Sequence, residues 1–197
     1  ILSNDIENIV REEFETYAAK RVGMSELSSW KNSLMYMSIV LQDNEIPDDC
    51  RVAIEYHIPQ TSKRLDFILT GQDSTNTDHA VLIELKQWAE AELTEKDSIV
   101  RTRFKGGYTE TAHPSYQAWS YAALLKGFNS AVYEEKIQLQ PCAYLHNYVD
   151  DGVITNPFYG EYIKKAPVFL KPDARKLRDF IKKYVKYGDK ANIIDRI

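Results

Sequence analysis

Thiols are scarce in this chain: Cys50 and Cys142 are its only cysteines in 197 residues, far apart and without metal-ligand spacing. That excludes a disulfide scaffold and a cysteine-ligated zinc centre, and reduced thiols point to a cytoplasmic protein. Long apolar runs are also missing; none approaches the roughly 20 residues of a membrane-spanning helix, so no membrane partner is expected. The four histidines, His57, His79, His113 and His146, show no zinc spacing and are read as structural or capping residues. No Walker A pattern occurs, which excludes ATP hydrolysis by these residues. The first residues carry no signal-peptide pattern, and neither internal repeats nor low-complexity segments are found.

What is present suits one well-packed domain over residues 1–197, with 44% hydrophobic residues and 13 tyrosines. It divides into a helical N-terminal part (1–45), a core (50–147) and a basic C-terminal extension (160–197). The net charge of −4 hides an asymmetry: residues 161–197 hold 11 Lys and Arg against 5 Asp and Glu, and the remainder is strongly acidic. The basic tail reads first as a solvated helix face. The chain opens on Ile1 rather than Met and closes on Ile193-Ile194-Asp195-Arg196-Ile197, the pattern expected of a piece of a longer protein with a further domain downstream.

Hydrophobic periodicity predicts helices over 2–20 and 27–42, the second with Leu27, Trp30, Leu34, Met37 and Leu41 on one stripe. Strands follow over 51–58, 64–70 and 80–86, then a weaker hairpin over 99–104 and 108–112 turning at Gly106-Gly107. His113-Pro114-Ser115 starts a helix that ends near Lys126-Gly127, with His113 placed where it could touch a phosphate. A fourth strand (137–145), an irregular stretch (148–165), a short edge strand (168–170) and a basic helix (173–187) complete the chain. The expected fold class is α/β, a mixed central sheet flanked by helices on both faces.

Charge on the two most apolar strands is the functional signal. If the loops are symmetric, the second and third strands register about position 75 and Asp66 faces Glu84. The first hairpin then registers about 60.5 and brings Glu55 opposite Asp66. Opposed residues share a face of the sheet, and Lys86 lies two residues beyond Glu84 on that same face. Carboxylates in a row repel unless a cation lies between them, and a hard divalent ion with oxygen ligands, Mg²⁺ or Mn²⁺, resolves the conflict. Glu13, in the middle of the apolar arc of the first helix, is either a rim residue meeting an arginine or a further carboxylate aimed at the metal. Gln117 and Tyr121 stand one turn apart on the crossover helix, on one face, where they could hydrogen-bond a phosphate and pack beside a nucleotide. The plain alternative is an exposed Glu84–Lys86 ion pair at a strand end, which contributes little.

Together these residues resemble the PD-(D/E)xK nuclease superfamily, with its restriction-endonuclease-like αβββαβ core. Asp66 stands where the superfamily has its second-strand Asp, and Glu84-Leu85-Lys86 where it has the acid-x-Lys. Gln117 and Tyr121 match the Gln-x-x-x-Tyr motif of the RecB-like branch. The phrases Arg64-Leu65-Asp66-Phe67-Ile68, Ile83-Glu84-Leu85-Lys86-Gln87-Trp88, His113-Pro114-Ser115-Tyr116-Gln117-Ala118-Trp119-Ser120-Tyr121 and Pro141-Cys142-Ala143-Tyr144-Leu145-His146-Asn147-Tyr148 resemble the nuclease module of bacterial nuclease–helicase proteins, some active in phage defence. The resemblance implies a metal-dependent nuclease with Asp66, Glu84 and Lys86 catalytic. Asp66, Glu84 and the Leu85 carbonyl would hold the metal, with Glu13 as first-helix acid. DNA would be the substrate, RNA remaining open, and a helicase-like ATPase would follow in the same chain. Leu65 stands where the usual pattern has Pro, a Pro that many members lack, and about 27 residues separate Lys86 from the helix, a long insertion. Two other readings remain: a nuclease-like module that binds nucleic acid or its own chain without cutting, and an unrelated domain whose charged strand ends coincide.

Overall fold

The computed structural model describes residues 24–197, which fall into two compact units, one ending at Asp43 and one from Asn44 onward. In the first, helix α1 (Met24–Leu41) buries Trp30, Leu34, Met37 and Val40 along one stripe. Val40 therefore takes the buried place expected of Leu41. The helix expected over 2–20, with Glu13, lies outside the described residues.

The second unit is built on a five-stranded sheet in the order β1-β2-β3-β7-β8. Strands β1 (Arg51–His57), β2 (Arg64–Gln72) and β3 (Asp78–Lys86) run antiparallel, whereas β7 (Gln138–Leu145) and β8 (Val168–Leu170) lie parallel to β3. The sheet is thus mixed and the class α/β. Parallel neighbours need a long crossover. Here it contains a separate three-stranded sheet, β4 (Ala91–Leu93), β5 (Ile99–Phe104) and β6 (Gly107–Ala112). Helices α2 (Pro114–Phe128) and α3 (Ser130–Glu134) follow. Beyond β7 come a 3₁₀ turn (Pro157–Tyr159), α4 (Gly160–Lys165), a second 3₁₀ turn (Lys171–Asp173), α5 (Ala174–Tyr184) and α6 (Ile193–Arg196).

Both registers match the symmetric-loop expectation. Phe67 pairs with Ile83 and Thr70 with Ala80 across β2–β3, and Ile54 with Phe67 and Tyr56 with Leu65 across β1–β2. The apolar centres of β2 and β3 are buried on both faces, as a covered sheet requires. Ile68, Ala80 and Leu82 meet Ala122 and Leu125 of α2 and Ile193 of α6. On the opposite face, Phe180 of α5 packs against Phe169 at 5.5 Å and Tyr184 against His79 at 5.3 Å.

Two stretches differ from the sequence reading. Residues 148–165, expected to be irregular, hold a 3₁₀ turn and α4, with Tyr148 and Tyr159 fully buried in a satellite core under β4–β6. The final residues, for which the sequence suggested no element of their own, form α6, with Ile193 and Ile197 in the main core. Asp189 shapes that ending: its carboxylate accepts the Thr70 hydroxyl at 2.7 Å and the Ile193 N–H at 2.8 Å.

The C-terminal segment crosses β2 so closely that Gly71 is obligatory. Gln72 and Tyr187 exchange backbone hydrogen bonds, and a Cβ on Gly71 would lie 2.5 Å from the Tyr187 carbonyl oxygen and 2.7 Å from Val185 Cγ1. Gly71→Ala should therefore lower the free energy of urea unfolding by about 1–3 kcal/mol. An unchanged midpoint would show that this segment is not held against β2.

Candidate active site

Regular β2–β3 pairing stops at Phe67–Ile83, and the next positions on the two strands are Asp66 and Glu84. Both carry their side chains on the α2 face of the sheet, in line with Ile68 and Leu82. Beyond the last ladder pair the Leu85 N–H donates to Asp66 Oδ2 at 2.8 Å. Backbone N–H and C=O of one strand residue point to the same side, so the Leu85 carbonyl faces the same gap.

Glu84 is 1% exposed, and two donors converge on one of its oxygens. Lys86 Nζ and Gln117 Nε2 each lie 2.6 Å from Oε1, while Oε2 is buried without a hydrogen-bond partner. The second hydrogen of the Gln117 amide goes to Tyr121 Oη at 3.1 Å. Structure thus brings together Asp66, Glu84, Lys86, Gln117 and Tyr121, and places Leu85 between the acids. Gln117 differs from its expected substrate-facing role: its amide is committed to Glu84 and Tyr121.

Electrostatics follow from burial. Desolvation raises the Glu84 carboxyl well above the ordinary carboxylate range, the Asp66 charge adds to this, and Lys86 only partly offsets both. Burial alone would lower Lys86, but Glu84 and Asp66 outweigh it and raise the ammonium. Burial and Glu84 raise the Tyr121 hydroxyl too. Asp66, Glu84 and Lys86 therefore form one electrostatic unit. With both acids ionised it carries one net negative charge in a dry setting.

That unit is short of a cation. A buried carboxylate oxygen without a donor is costly, and here its carboxyl lies beside a second acid, Asp66. This donor set suits Mg²⁺ or Mn²⁺, since Mg²⁺ is commonly held by one or two carboxylates while keeping several waters. Among the described residues no group of three or more His, Cys, Asp or Glu side chains is placed to hold a metal. Ligation would rest on Asp66, Glu84 and the Leu85 carbonyl.

Glu55 and His113 fall outside the constellation. The ladder continues on both sides of Glu55, yet its backbone has φ +56°, outside extended geometry, and its carboxylate forms an ion pair with Arg64. A pairing count cannot reveal a left-handed residue within a strand, and the arginine two residues before Asp66 takes the charge. His113 is the N-cap of α2 and fully buried, with its ring stacked on Tyr159 at 4.4 Å. Its Nδ1 accepts the Ser115 N–H at 3.2 Å and its Nε2 donates to the Ile154 carbonyl at 2.9 Å, which leaves no nitrogen for a phosphate. Burial lowers its pKa to about 4, so it stays neutral at physiological pH.

One neighbour escaped the sequence reading. Trp88 is 8% exposed, and the Lys86 ammonium lies 5.7 Å from its ring centre. Period two from Lys86 was the available signal. Compared with protein-family models, curated proteins and solved structures, the chain matches none.

The raised Glu84 carboxyl has a signed consequence for stability. It is more readily protonated in the fold than in the unfolded chain, so its contribution is full below the ordinary carboxylate range. That contribution is lost as pH rises through the raised pKa, about 8. In metal-free buffer, Glu84→Gln should gain Tm relative to the parent between about pH 5 and pH 9, by at least a few degrees. A Tm difference that stays flat across this range would show that the carboxyl is not destabilised by its site.

Proposed function

We propose that this domain is a divalent-metal-dependent nuclease that hydrolyses phosphodiester bonds of DNA. The observation that carries the reading is the junction at the end of the β2–β3 ladder. There two carboxylates lie side by side, one buried oxygen has no donor, and a lysine and a glutamine hold the other oxygen. A purely structural strand end has no need to bury Glu84 beside Asp66.

Mg²⁺ or Mn²⁺, held by Asp66, Glu84 and the Leu85 carbonyl, would supply positive charge to the phosphoryl oxygens and lower the pKa of a nearby water. The chain's own groups do the rest. The Leu85 N–H fixes the rotamer of Asp66. Gln117, anchored on α2, holds Glu84 against the sheet and keeps Oε1 occupied, which directs Oε2 toward the ligand position. Lys86 keeps its ammonium charged because two acids flank it. That ammonium can donate to a phosphoryl oxygen and stabilise charge that develops there. The resemblance to nuclease–helicase proteins extends the proposal to a module working with an ATPase of the same chain, in DNA processing or defence in the cytoplasm.

The test is cleavage of circular and linear, single- and double-stranded DNA with Mg²⁺ or Mn²⁺, by the parent and by Asp66→Asn, Glu84→Gln and Lys86→Ala. Each variant should lose about 10²-fold or more in rate, and chelation of the metal should abolish cleavage by the parent. Cleavage that persists in chelator, or that Lys86→Ala leaves intact, would remove the assignment. Binding without cleavage would instead identify a non-cutting module.

A further inference from the structure

We propose that the β5–β6 hairpin is a strand-guiding wing of the candidate site. Phe104 and Tyr108 take unpaired bases by stacking, and Arg103 and Lys105 hold phosphates of a nucleic-acid strand leading to Glu84 and Lys86. This rests on the nuclease reading for its partner and goes beyond it in naming where the strand runs and which form it takes.

The hairpin belongs to the insertion between Lys86 and α2, so it leaves the main sheet directly after one site residue and returns one helical turn before another, Gln117. Its base is fixed. Val100 and Thr102 are buried, the Thr102 hydroxyl donates to the Glu90 carbonyl at 2.6 Å, the His113 N–H donates to the Ser98 carbonyl at 2.7 Å, and the Tyr159 hydroxyl donates to the Ile99 carbonyl at 2.8 Å. Trp88 joins wing to site: one contact is the Lys86 ammonium at 5.7 Å, another is the Phe104 ring, edge-on, at 6.5 Å.

The tip has the opposite character. Phe104 is 46% and Tyr108 48% exposed, although both are large and apolar. Arg103 is exposed and only loosely paired with Glu90, at 3.9 Å, and Lys105 has no ion-pair or hydrogen-bond partner among the described residues. Tyr108 lies on the opposite face of the hairpin from Phe104, with the Arg101 guanidinium 5.7 Å from its ring and its hydroxyl donating to Glu90 at 3.2 Å. Across 99–112 the hairpin carries three bases and one acid in a chain whose net charge is −4. Exposed aromatic faces interleaved with cations suit unpaired bases and their phosphates, since every base offers a π-face and stacking needs no sequence readout. A paired duplex would hide those faces.

The test measures binding apart from cutting. The parent, Phe104→Ala, Phe104→Trp and an Arg103→Ala/Lys105→Ala double variant are titrated by fluorescence anisotropy with a labelled single-stranded oligodeoxynucleotide, its RNA counterpart and a blunt duplex, all in chelator. Phe104→Ala should weaken single-strand binding about tenfold and Phe104→Trp should restore it. The double variant should weaken it and reduce the slope of log K against log salt by about 1.4. None of the variants should change the gain in Tm that Mn²⁺ gives the parent, because none touches the acids. If the parent binds no single strand, if the variants bind as the parent does, or if the losses are confined to the duplex, the wing is overturned. The two proposals fail separately: loss of binding in the variants upholds the wing even if the parent never cuts, and unchanged binding removes it even if the parent does.

Discussion

Glu84 is a carboxylate near the end of a largely buried strand, under a helix and beside a second carboxylate. Much of the second unit can be understood as a response to that placement. Water cannot reach the group to stabilise its charge, so protein donors must do so, and they come from two levels of the structure. Lys86 comes from the same strand by simple alternation, Gln117 from the crossover helix, and the Leu85 N–H serves the neighbouring Asp66 where the ladder ends. Position of α2 is thereby tied to the chemistry: Ala118, Ala122 and Leu125 seat the helix on the sheet, and the same rotation turns Gln117 and Tyr121 toward the acid. Packing and polar satisfaction are solved by one helix phase. The arrangement is still incomplete, because Oε2 is left without a donor. An arrangement that satisfies one oxygen fully and the other not at all is poised for a cation, and costly to keep otherwise.

Much of this was legible from residues alone because it depends on short-range rules. Strand alternation placed Glu84 and Lys86 together, and loop symmetry placed Asp66 opposite Glu84, since a loop without a bulge transmits register faithfully. Helical spacing paired Gln117 with Tyr121. The glycine pair at 106–107 marked the hairpin turn, and Pro114 the helix start. What escaped depended on individual dihedrals and on distant contacts. Glu55 has the right count but a left-handed backbone, and its carboxylate pairs with Arg64. His113, a polar residue at a helix start, became a buried cap because Ile154 and Ser115 use both of its nitrogens. The tyrosine-rich stretch after β7 looked irregular because its order comes from tertiary contacts: Tyr148 and Tyr159 are core residues beneath the inserted sheet rather than parts of a periodic element.

The inserted β4–β6 sheet joins the rigid part of the molecule to its surface. One end buries Val100 and Ala91 with Tyr148 and Leu170, and the other carries aromatic rings and cations into solvent. Insertions that only lengthen a loop need no core of their own. This one has a core, and Trp88 links that core to the Lys86 ammonium, so the orientation of the tip and the setting of the lysine are mechanically related.

The close crossing at Gly71 has a further meaning in time. The Tyr56 hydroxyl of β1 reaches the carbonyl of Ile197, 141 residues away in sequence, and Arg51 of the same strand pairs with Asp195. Strand β1 is thus closed by residues that leave the ribosome long after it. Contacts of such long range form late and carry a large loop-closure entropy. During synthesis, β1 and the apolar surface under α6 must wait, uncovered, for that helix. The site acids, close together in sequence, can meet long before the scaffold that makes their geometry permanent.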